Sequence, residues 1–137
     1  MNLRQANDRI LRKPSENDSG AKIRCVAAYY PMTSFVRPEL LKGSNFERAA
    51  RFVPILGGLP ETKRDLALKL SPIELLTPQS PLVFLAHGDN DKVLSVKNST
   101  SLRDATQAIG VSVKCFISKG AGHCFRGDKI WEASQHG

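Results

Sequence analysis

Residues 81–91 read PLVFLAHGDND, and this stretch decides the fold. An apolar run at 81–86 is followed at once by a polar turn that carries His87, Asp89 and Asp91. Short continuous apolar runs are typical of strands that are buried on both faces of a parallel sheet. The stretch therefore predicts a buried strand that ends in a loop of titratable side chains.

Further elements lie on both sides of this strand. Upstream, residues 23–30 read IRCVAAYY and stop at a proline, which predicts another strand buried on both faces. Downstream, a modest apolar stripe predicts a helix over 95–109, with Gly110 as its C-cap. Residues 111–117 then alternate between apolar and polar, with Lys114 on the polar side, which predicts a strand nearer the sheet edge.

The order strand, helix, strand is typical of an α/β fold with a parallel sheet. We expect about three parallel strands flanked by helices. Residues 1–21 are expected to form a polar N-terminal segment, and residues 22–137 the α/β domain. Between the first two strands we expect an irregular excursion at 32–60 and then a helix that begins at Pro60. Residues 128–134 are expected to start a final helix.

Composition excludes several classes of function. The net charge of +7 comes from 20 Lys and Arg against 13 Asp and Glu, without a run of basic residues interleaved with aromatics. This distribution indicates a mildly basic solvated surface rather than a nucleic-acid partner. No stretch reaches the roughly 18 apolar residues that a membrane span needs. No signal-peptide pattern is visible, and the localisation stays unassigned.

The three cysteines, Cys25, Cys115 and Cys124, have neither a CxxC spacing nor a zinc-type histidine pair. We expect free thiols, two of them within strands. Cys124 directly follows His123, a spacing at which two side chains rarely face each other as nucleophile and base. The aromatic residues of the excursion and the C-terminal segment are expected to pack in the core rather than to form a ligand cage. They are Phe35, Phe46, Phe52 and Trp131.

Two loops hold the side chains that could carry chemistry. One is HGDND at 87–91, and the other is GAGHCF at 120–125. In open α/β sheets, working residues collect beyond the carboxyl ends of the strands. A carboxylate after one strand and a histidine after the next can meet above neighbouring strands. This is the acid–base half of a Ser–His–Asp triad, and the acid precedes the histidine as in α/β-hydrolases.

Four stretches together resemble the second half of a BD-FAE-type, acetyl-xylan-esterase-like α/β-hydrolase of the esterase/lipase group. They are AAYYPMTSF, LGGLPETKRDLALKLSPIELL, SPLVFLAHGDNDKVL and GVSVKCFISKGAGHCF. The resemblance covers about residues 22–127, and it implies that 22–137 correspond to the C-terminal part of the hydrolase domain. It also implies hydrolysis of a small-molecule or carbohydrate ester, with no metal or organic cofactor.

The same resemblance implies roles for the loop residues. Asp91 would be the catalytic acid and His123 the base. Asp89 would form the turn, although it lies close enough in sequence to exchange roles with Asp91. His87, at the strand end, is expected to hydrogen-bond backbone rather than to act in catalysis.

The family's G-x-S-x-G nucleophile elbow is absent from the 137 residues. Residues 110–113 read GVSV, which begin like the elbow but lack its second glycine. We therefore expect the serine to lie upstream of Met1, and the chain alone to be inactive. The strand that leads into the elbow would be missing too, which leaves one edge of 23–30 unpaired. We therefore expect the isolated chain to be insoluble, to dimerise through that edge, or to depend on cover by residues 1–20.

Three functional interpretations remain open. The chain is part of an active carboxylic-ester hydrolase, or a non-catalytic remnant that serves as an interaction module. In the third interpretation it is part of a peptidase of the same fold, which would use the same Asp and His loops.

Overall fold

The structure is a computed structural model that describes residues 22–129. Three parallel strands form one sheet in the spatial order β1–β2–β3. Their bounds are Cys25–Tyr29 for β1, Leu82–Gly88 for β2 and Val113–Ser118 for β3. The predicted α/β fold with three parallel strands flanked by helices is confirmed.

Within the described residues, three α-helices and three 3₁₀ turns lie between these strands, and a fourth 3₁₀ turn follows β3. The helices are α1 at Val53–Leu56, α2 at Arg64–Lys69 and α3 at Lys97–Ala108. The 3₁₀ turns are Pro38–Leu40, Ala49–Phe52, Pro72–Glu74 and His123–Phe125. Gly110 has a φ of 79° directly after α3, which is the left-handed conformation that ends helices at glycine. It follows the last helical residues as predicted.

Strand β2 continues further than the sequence suggested. We placed His87 and Gly88 in the loop, but their backbones pair with Ile117 and Ser118 of β3. The polar turn therefore begins at Asp89. Hydrogen bonding to a neighbouring strand extends β2, and a polar side chain at 87 does not prevent it.

The prediction that β1 is buried on both faces is wrong. Four of its five residues are exposed, among them Val26 at 40% and Tyr29 at 48%. The reason is that β1 lies at the edge of the sheet and pairs with β2 alone among the described strands. An edge strand is covered only where another segment packs against it.

One face of the sheet, here called the helix-side face, packs against α3. Val83 and Leu85 of β2 contact Leu102 of this helix in a single core cluster. The other members of the cluster are Leu40, Ile73, Ala28, Leu76, Ala105, Val113 and Cys115. Leu85 is fully buried, and burial of a leucine side chain contributes roughly 1.5–3 kcal/mol. This cluster holds β2 and β3 in register and so fixes where their loops lie.

A second core cluster lies in the excursion between β1 and β2. The ring of Phe52 lies 5.4 Å from that of Phe35 and 5.6 Å from that of Phe46, measured between centroids. These three aromatic residues pack in the core as predicted. Leu94, from the loop after β2, joins the same cluster. The excursion is therefore packed against the loop that carries Asp91.

A buried polar contact joins the segment after β1 to the start of α3. Asn98 and Thr33 are both fully buried, and the Asn98 side-chain oxygen accepts the Thr33 N–H at 3.0 Å. The Asn98 amide in turn donates to the Leu40 carbonyl at 2.9 Å. Buried polar groups need such partners, since an unsatisfied one costs about 1–3 kcal/mol. The network fixes the path of the chain beside β2.

Two predicted elements lie outside the described residues. They are the polar segment 1–21 and most of the helix at 128–134, together with Trp131. Across residues 22–129, no helix has the length and apolar character needed to cross a membrane.

Candidate active site

Asp91 and His123 lie on the loops that follow β2 and β3. These strands are adjacent and parallel, so their carboxyl ends lie at the same edge of the sheet. Oδ2 of Asp91 lies 2.8 Å from Nδ1 of His123, within hydrogen-bond distance. The structure therefore brings together the two residues that the sequence singled out.

Two backbone N–H groups hold the carboxylate of Asp91 in place. Its side chain is fully buried, and Oδ1 accepts the N–H groups of Val93 and Leu94, each at 2.8 Å. A buried carboxylate is tolerated when such hydrogen bonds compensate its lost hydration. Because Oδ1 is engaged in the turn, Oδ2 is left to face His123.

This contact fixes the tautomer of His123. A carboxylate only accepts hydrogen bonds, so Nδ1 of the neutral imidazole carries the proton and donates it to Asp91. The lone pair is then on Nε2, and the His123 side chain is 30% exposed. A partly exposed imidazole in this state can accept a proton from a hydroxyl group.

Asp89 makes a different contact. Its Oδ1 accepts the N–H of Gly120 at 2.6 Å, and the neighbouring Asn90 N–H donates to the Ala121 carbonyl at 3.0 Å. These bonds tie the loop after β2 to the loop after β3. The structure thus places Asp91 against His123, and Asp89 against the backbone of the facing loop.

His87 lies next to Asp91 and is fully buried. Its Nε2 lies 2.9 Å from the Leu94 carbonyl oxygen, which can only accept, so Nε2 carries the proton. Nδ1 then accepts the hydroxyl proton of Ser99 at 2.8 Å. Burial lowers the pKa of His87, which favours this neutral state. The predicted hydrogen bond between the His87 side chain and the backbone is therefore present.

Nε2 of His87 also lies 3.2 Å from Oδ2 of Asp91. One carboxylate oxygen is therefore near two imidazole nitrogens, from His87 and His123. The Nε2 proton of His87 is donated to the Leu94 carbonyl, and the Asp91 oxygen lies slightly farther away. His87 thus supports both the turn and the carboxylate.

Backbone strain is concentrated around His123. Cys124 and Phe125 have φ values of 57° and 56°, and Tyr30 has a φ of 41°. Non-glycine residues in such conformations cost of the order of 1–3 kcal/mol each and cluster at functional sites. The Tyr30 ring lies 4.7 Å from the His123 ring, measured between centroids. A hydrogen bond with Cys124, followed by burial, raises the pKa of Tyr30.

Comparison with protein families finds a match for the chain. The family model described as BD-FAE matches residues 2–106, more than half of the chain. The chain belongs to the BD-FAE family. This family consists of α/β-hydrolase esterases, so the predicted resemblance is confirmed. The match also includes residues 2–21, which precede the described part.

Solved structures share the BD-FAE fold of this chain. A truncated carbohydrate esterase from gut microbiota superposes with a TM-score of 0.63 at 21% identity, over 85% of this chain. An acetyl ester-xyloside bifunctional hydrolase from Caldicellulosiruptor lactoaceticus gives 0.62 at 21% identity over 84%. A puromycin-hydrolyzing peptidase from Mycobacterium tuberculosis gives 0.64 at 18% identity over 82%. The predicted partial α/β-hydrolase fold is confirmed.

The chain covers only part of each of these structures. It spans 42% of the carbohydrate esterase, 40% of the bifunctional hydrolase and 17% of the peptidase. Comparison with curated proteins gives no match.

The segment between β1 and β2 of this BD-FAE chain contains a cleft of about 460 Å³. Its apolar lining includes Phe35, Val36, Leu41, Phe46, Phe52 and Pro60. The Asn45 N–H donates to the carbonyl of Lys92, next to Asp91, at 3.1 Å. This bond connects the segment that lines the cleft to the loop that carries Asp91.

Sequence reasoning missed Ser99 and Tyr30 as parts of the site. Ser99 lies on α3 and contacts His87, and a serine on a helix carries no signal of such a role. Tyr30 had a weak signal, because it ends a strand of the same sheet just before a proline. Among residues 22–129, no group of three His, Cys, Asp or Glu side chains is arranged to hold a metal ion.

The thiols of Cys25, Cys115 and Cys124 are free, and the first two lie within strands as predicted. Burial raises the pKa of Cys115, which keeps its thiol protonated at neutral pH.

Proposed function

We propose that Asp91 and His123 are the acid and the general base of a Ser–His–Asp triad in a carboxylic-ester hydrolase. The observation that carries the proposal is the 2.8 Å contact between Asp91 Oδ2 and His123 Nδ1. Burial of the carboxylate and partial exposure of the imidazole support the same assignment. These are the features that the two roles require.

In the proposed reaction, Nε2 of His123 takes the proton of a serine hydroxyl as its oxygen attacks the ester carbonyl. The imidazolium that forms is stabilised by Asp91. It then donates its proton to the leaving alcohol, and an acyl-serine remains. Water attacks this acyl-enzyme with His123 again as base, which releases the acid and restores the serine.

The serine of this reaction is proposed to come from sequence outside residues 1–137, because the chain has no G-x-S-x-G. The substrate of the whole enzyme is proposed to be a small-molecule or carbohydrate ester. Support comes from BD-FAE membership and from the printed names of two similar structures, a carbohydrate esterase and an acetyl ester-xyloside hydrolase.

The first experiment uses the 137-residue chain alone. We expect no turnover of p-nitrophenyl acetate and no labelling by a fluorophosphonate, because the nucleophile is missing. Turnover that disappears in His123→Ala, together with labelling of a residue of this chain, would contradict the proposal.

The decisive experiment is a chimera in which this chain replaces the corresponding C-terminal part of the gut-microbiota carbohydrate esterase. We expect ester hydrolysis that falls by about 10⁴-fold in His123→Ala and Asp91→Ala. Asp89→Ala is the matched control and is expected to retain most of the activity. A folded chimera whose activity survives His123→Ala would exclude the assignment. A folded chimera without activity would favour the interaction-module alternative. A p-nitroanilide peptide substrate, assayed in parallel, separates ester from peptide hydrolysis.

A further inference from the structure

Tyr30 follows β1 directly and contacts the loop that carries His123. The centroid of its ring lies 4.7 Å from that of the His123 ring, with 58° between the two ring planes. The Tyr30 ring also meets the ring of Phe125, with centroids 5.7 Å apart, and its side chain forms a hydrogen bond with Cys124. One side chain from the end of β1 therefore contacts three consecutive residues of the loop after β3.

The backbone of Tyr30 is held in an unfavourable conformation. Its φ of 41° is unusual for a bulky side chain, and a residue that precedes a proline normally adopts an extended conformation. The Tyr30 N–H donates to the Ala86 carbonyl of β2 at 2.7 Å. This bond fixes the turn at Tyr30 relative to the strand that precedes the Asp91 loop.

The unfavourable conformation decides where the ring lies. Side chains alternate along an extended strand, so an extended Tyr30 would point to the same face as Ala28. Ala28 packs against the core cluster of the helix-side face. The Tyr30 ring instead meets Phe125, whose own ring lies edge-on to that of Tyr29 at 6.3 Å. The contact between Tyr30 and His123 therefore depends on this turn.

The hydrogen bond to Asp91 fixes the imidazole of His123 at one point only. The bond joins Nδ1 to the carboxylate, and rotation of a histidine ring about its Cβ–Cγ bond is broadly permitted. Half a turn of the ring exchanges Nδ1 with Cδ2 and so breaks the bond. The His123 side chain is 30% exposed, which means that the surrounding protein covers it only in part. The ring of Tyr30, packed against the imidazole, limits this rotation.

We propose that Tyr30 is a positioning residue for His123, and that its ring keeps Nδ1 of the imidazole on Asp91 and Nε2 free to accept a proton. This inference rests on the proposed function, because it assigns Tyr30 a part in the action of His123 as general base. The role is assigned to the ring, which contacts the imidazole, and not to the hydroxyl group, which is engaged with Cys124.

NMR of the 137-residue chain tests the contact without a nucleophile. In the unchanged chain we expect nuclear Overhauser effects between the ring protons of Tyr30 and His123, and nitrogen-15 shifts of the Nδ1–H form. Tyr30→Gly removes the ring and keeps the turn, because glycine adopts positive φ values freely. We expect a mixture of the two His123 tautomers in this variant. Absence of the Overhauser effects from the unchanged chain would overturn the proposal.

Two further variants separate the ring from other effects. Tyr30→Phe keeps the ring without the hydroxyl group and should restore the Nδ1–H form. Phe116→Ala removes an exposed aromatic side chain from β3 and should leave the His123 signals unchanged. Circular dichroism checks the fold of each variant. The proposal is wrong if a folded Tyr30→Gly chain keeps only the Nδ1–H form, or if Tyr30→Phe behaves like Tyr30→Gly.

Kinetics of the chimera with the gut-microbiota carbohydrate esterase connect the contact to the reaction. We expect Tyr30→Gly to lower kcat by about 10²-fold with little change in KM, because a misplaced base acts on the transition state rather than on substrate binding. Tyr30→Phe should recover most of kcat. Unchanged kcat in Tyr30→Gly, in a chimera that His123→Ala inactivates, overturns the positioning role and leaves the proposed function intact. Activity that survives His123→Ala overturns the proposed function instead.

Discussion

Gly88 and Ala121 are packed backbone against backbone. A Cβ atom on Gly88 would lie 2.2 Å from the carbonyl oxygen of Ala121 and 2.7 Å from its carbonyl carbon. This close approach lets the loop after β3 cross the end of β2. It brings His123 above the loop that holds Asp91.

We predict that Gly88→Ala destabilises the fold by about 3 kcal/mol or more, because backbone atoms at 2.2 Å cannot move aside cheaply. Gly122→Ala is the matched control. A Cβ there would lie 3.7 Å from its nearest neighbour, so the cost should stay below about 1 kcal/mol. Urea unfolding of the two variants measures both values. Equal stabilities would show that the two loops separate easily.

The second prediction concerns the tautomer of His123. In Asp91→Asn, an oxygen must remain at the Oδ1 position, because Val93 and Leu94 donate to it. The amide NH₂ then faces Nδ1 of His123 and forces the proton onto Nε2. Nitrogen-15 NMR of the imidazole reads the change directly. Asp89→Asn, whose side chain contacts Gly120, should leave the Nδ1–H form in place. An unchanged tautomer in Asp91→Asn would contradict the proposed orientation.

The third prediction is a pH dependence of stability. Burial lowers the pKa of His87 in the folded chain, whereas the unfolded residue titrates near 6.5. Below about pH 6.5 the unfolded state therefore binds more protons, and the free energy of unfolding falls as the pH falls. The slope from this one group is at most about 1.4 kcal/mol per pH unit. Well above pH 6.5, His87 is neutral in both states and no longer lowers the free energy of unfolding.

Denaturant unfolding between pH 5 and pH 7 tests this dependence. His87→Gln keeps a polar side chain without the titration and should flatten the profile. A slope that persists in His87→Gln would assign the dependence to another group.

Part of the fold and of the candidate site could be predicted from the sequence. The strands and the Asp91–His123 contact were predictable because apolar runs, their order and the polar residues at their ends are local features. Exposure of β1 was not, because the same IRCVAAYY run suits a central strand, and only the neighbouring strands decide its burial. The His87–Ser99 contact could not be predicted from the sequence, since it depends on the rotation of α3 against β2.

The fourth prediction concerns the edge of β1. Tyr30 N–H donates to the Ala86 carbonyl of β2, and N–H groups alternate in direction along a strand, so that of Ala27 points away from β2. We propose that this edge associates with a second copy of the chain. Ala27→Pro should weaken the association, because proline removes an outward donor.

Size-exclusion chromatography over a concentration series measures the effect. Ala28→Pro is the contrasting variant, because its N–H faces β2, and it should reduce stability instead. A chain that is monomeric at all concentrations would refute edge pairing.

Asp91 and His123 are 32 residues apart, and both belong to the β2–α3–β3 unit. Contacts over short sequence separations close small loops and form at low entropic cost. Pairing of β1 with β2 must instead close the whole segment from 30 to 81. We therefore expect the Asp91–His123 contact to form before β1 pairs with β2 during folding. A chain that has not yet added β1 to the sheet would already hold the two side chains together.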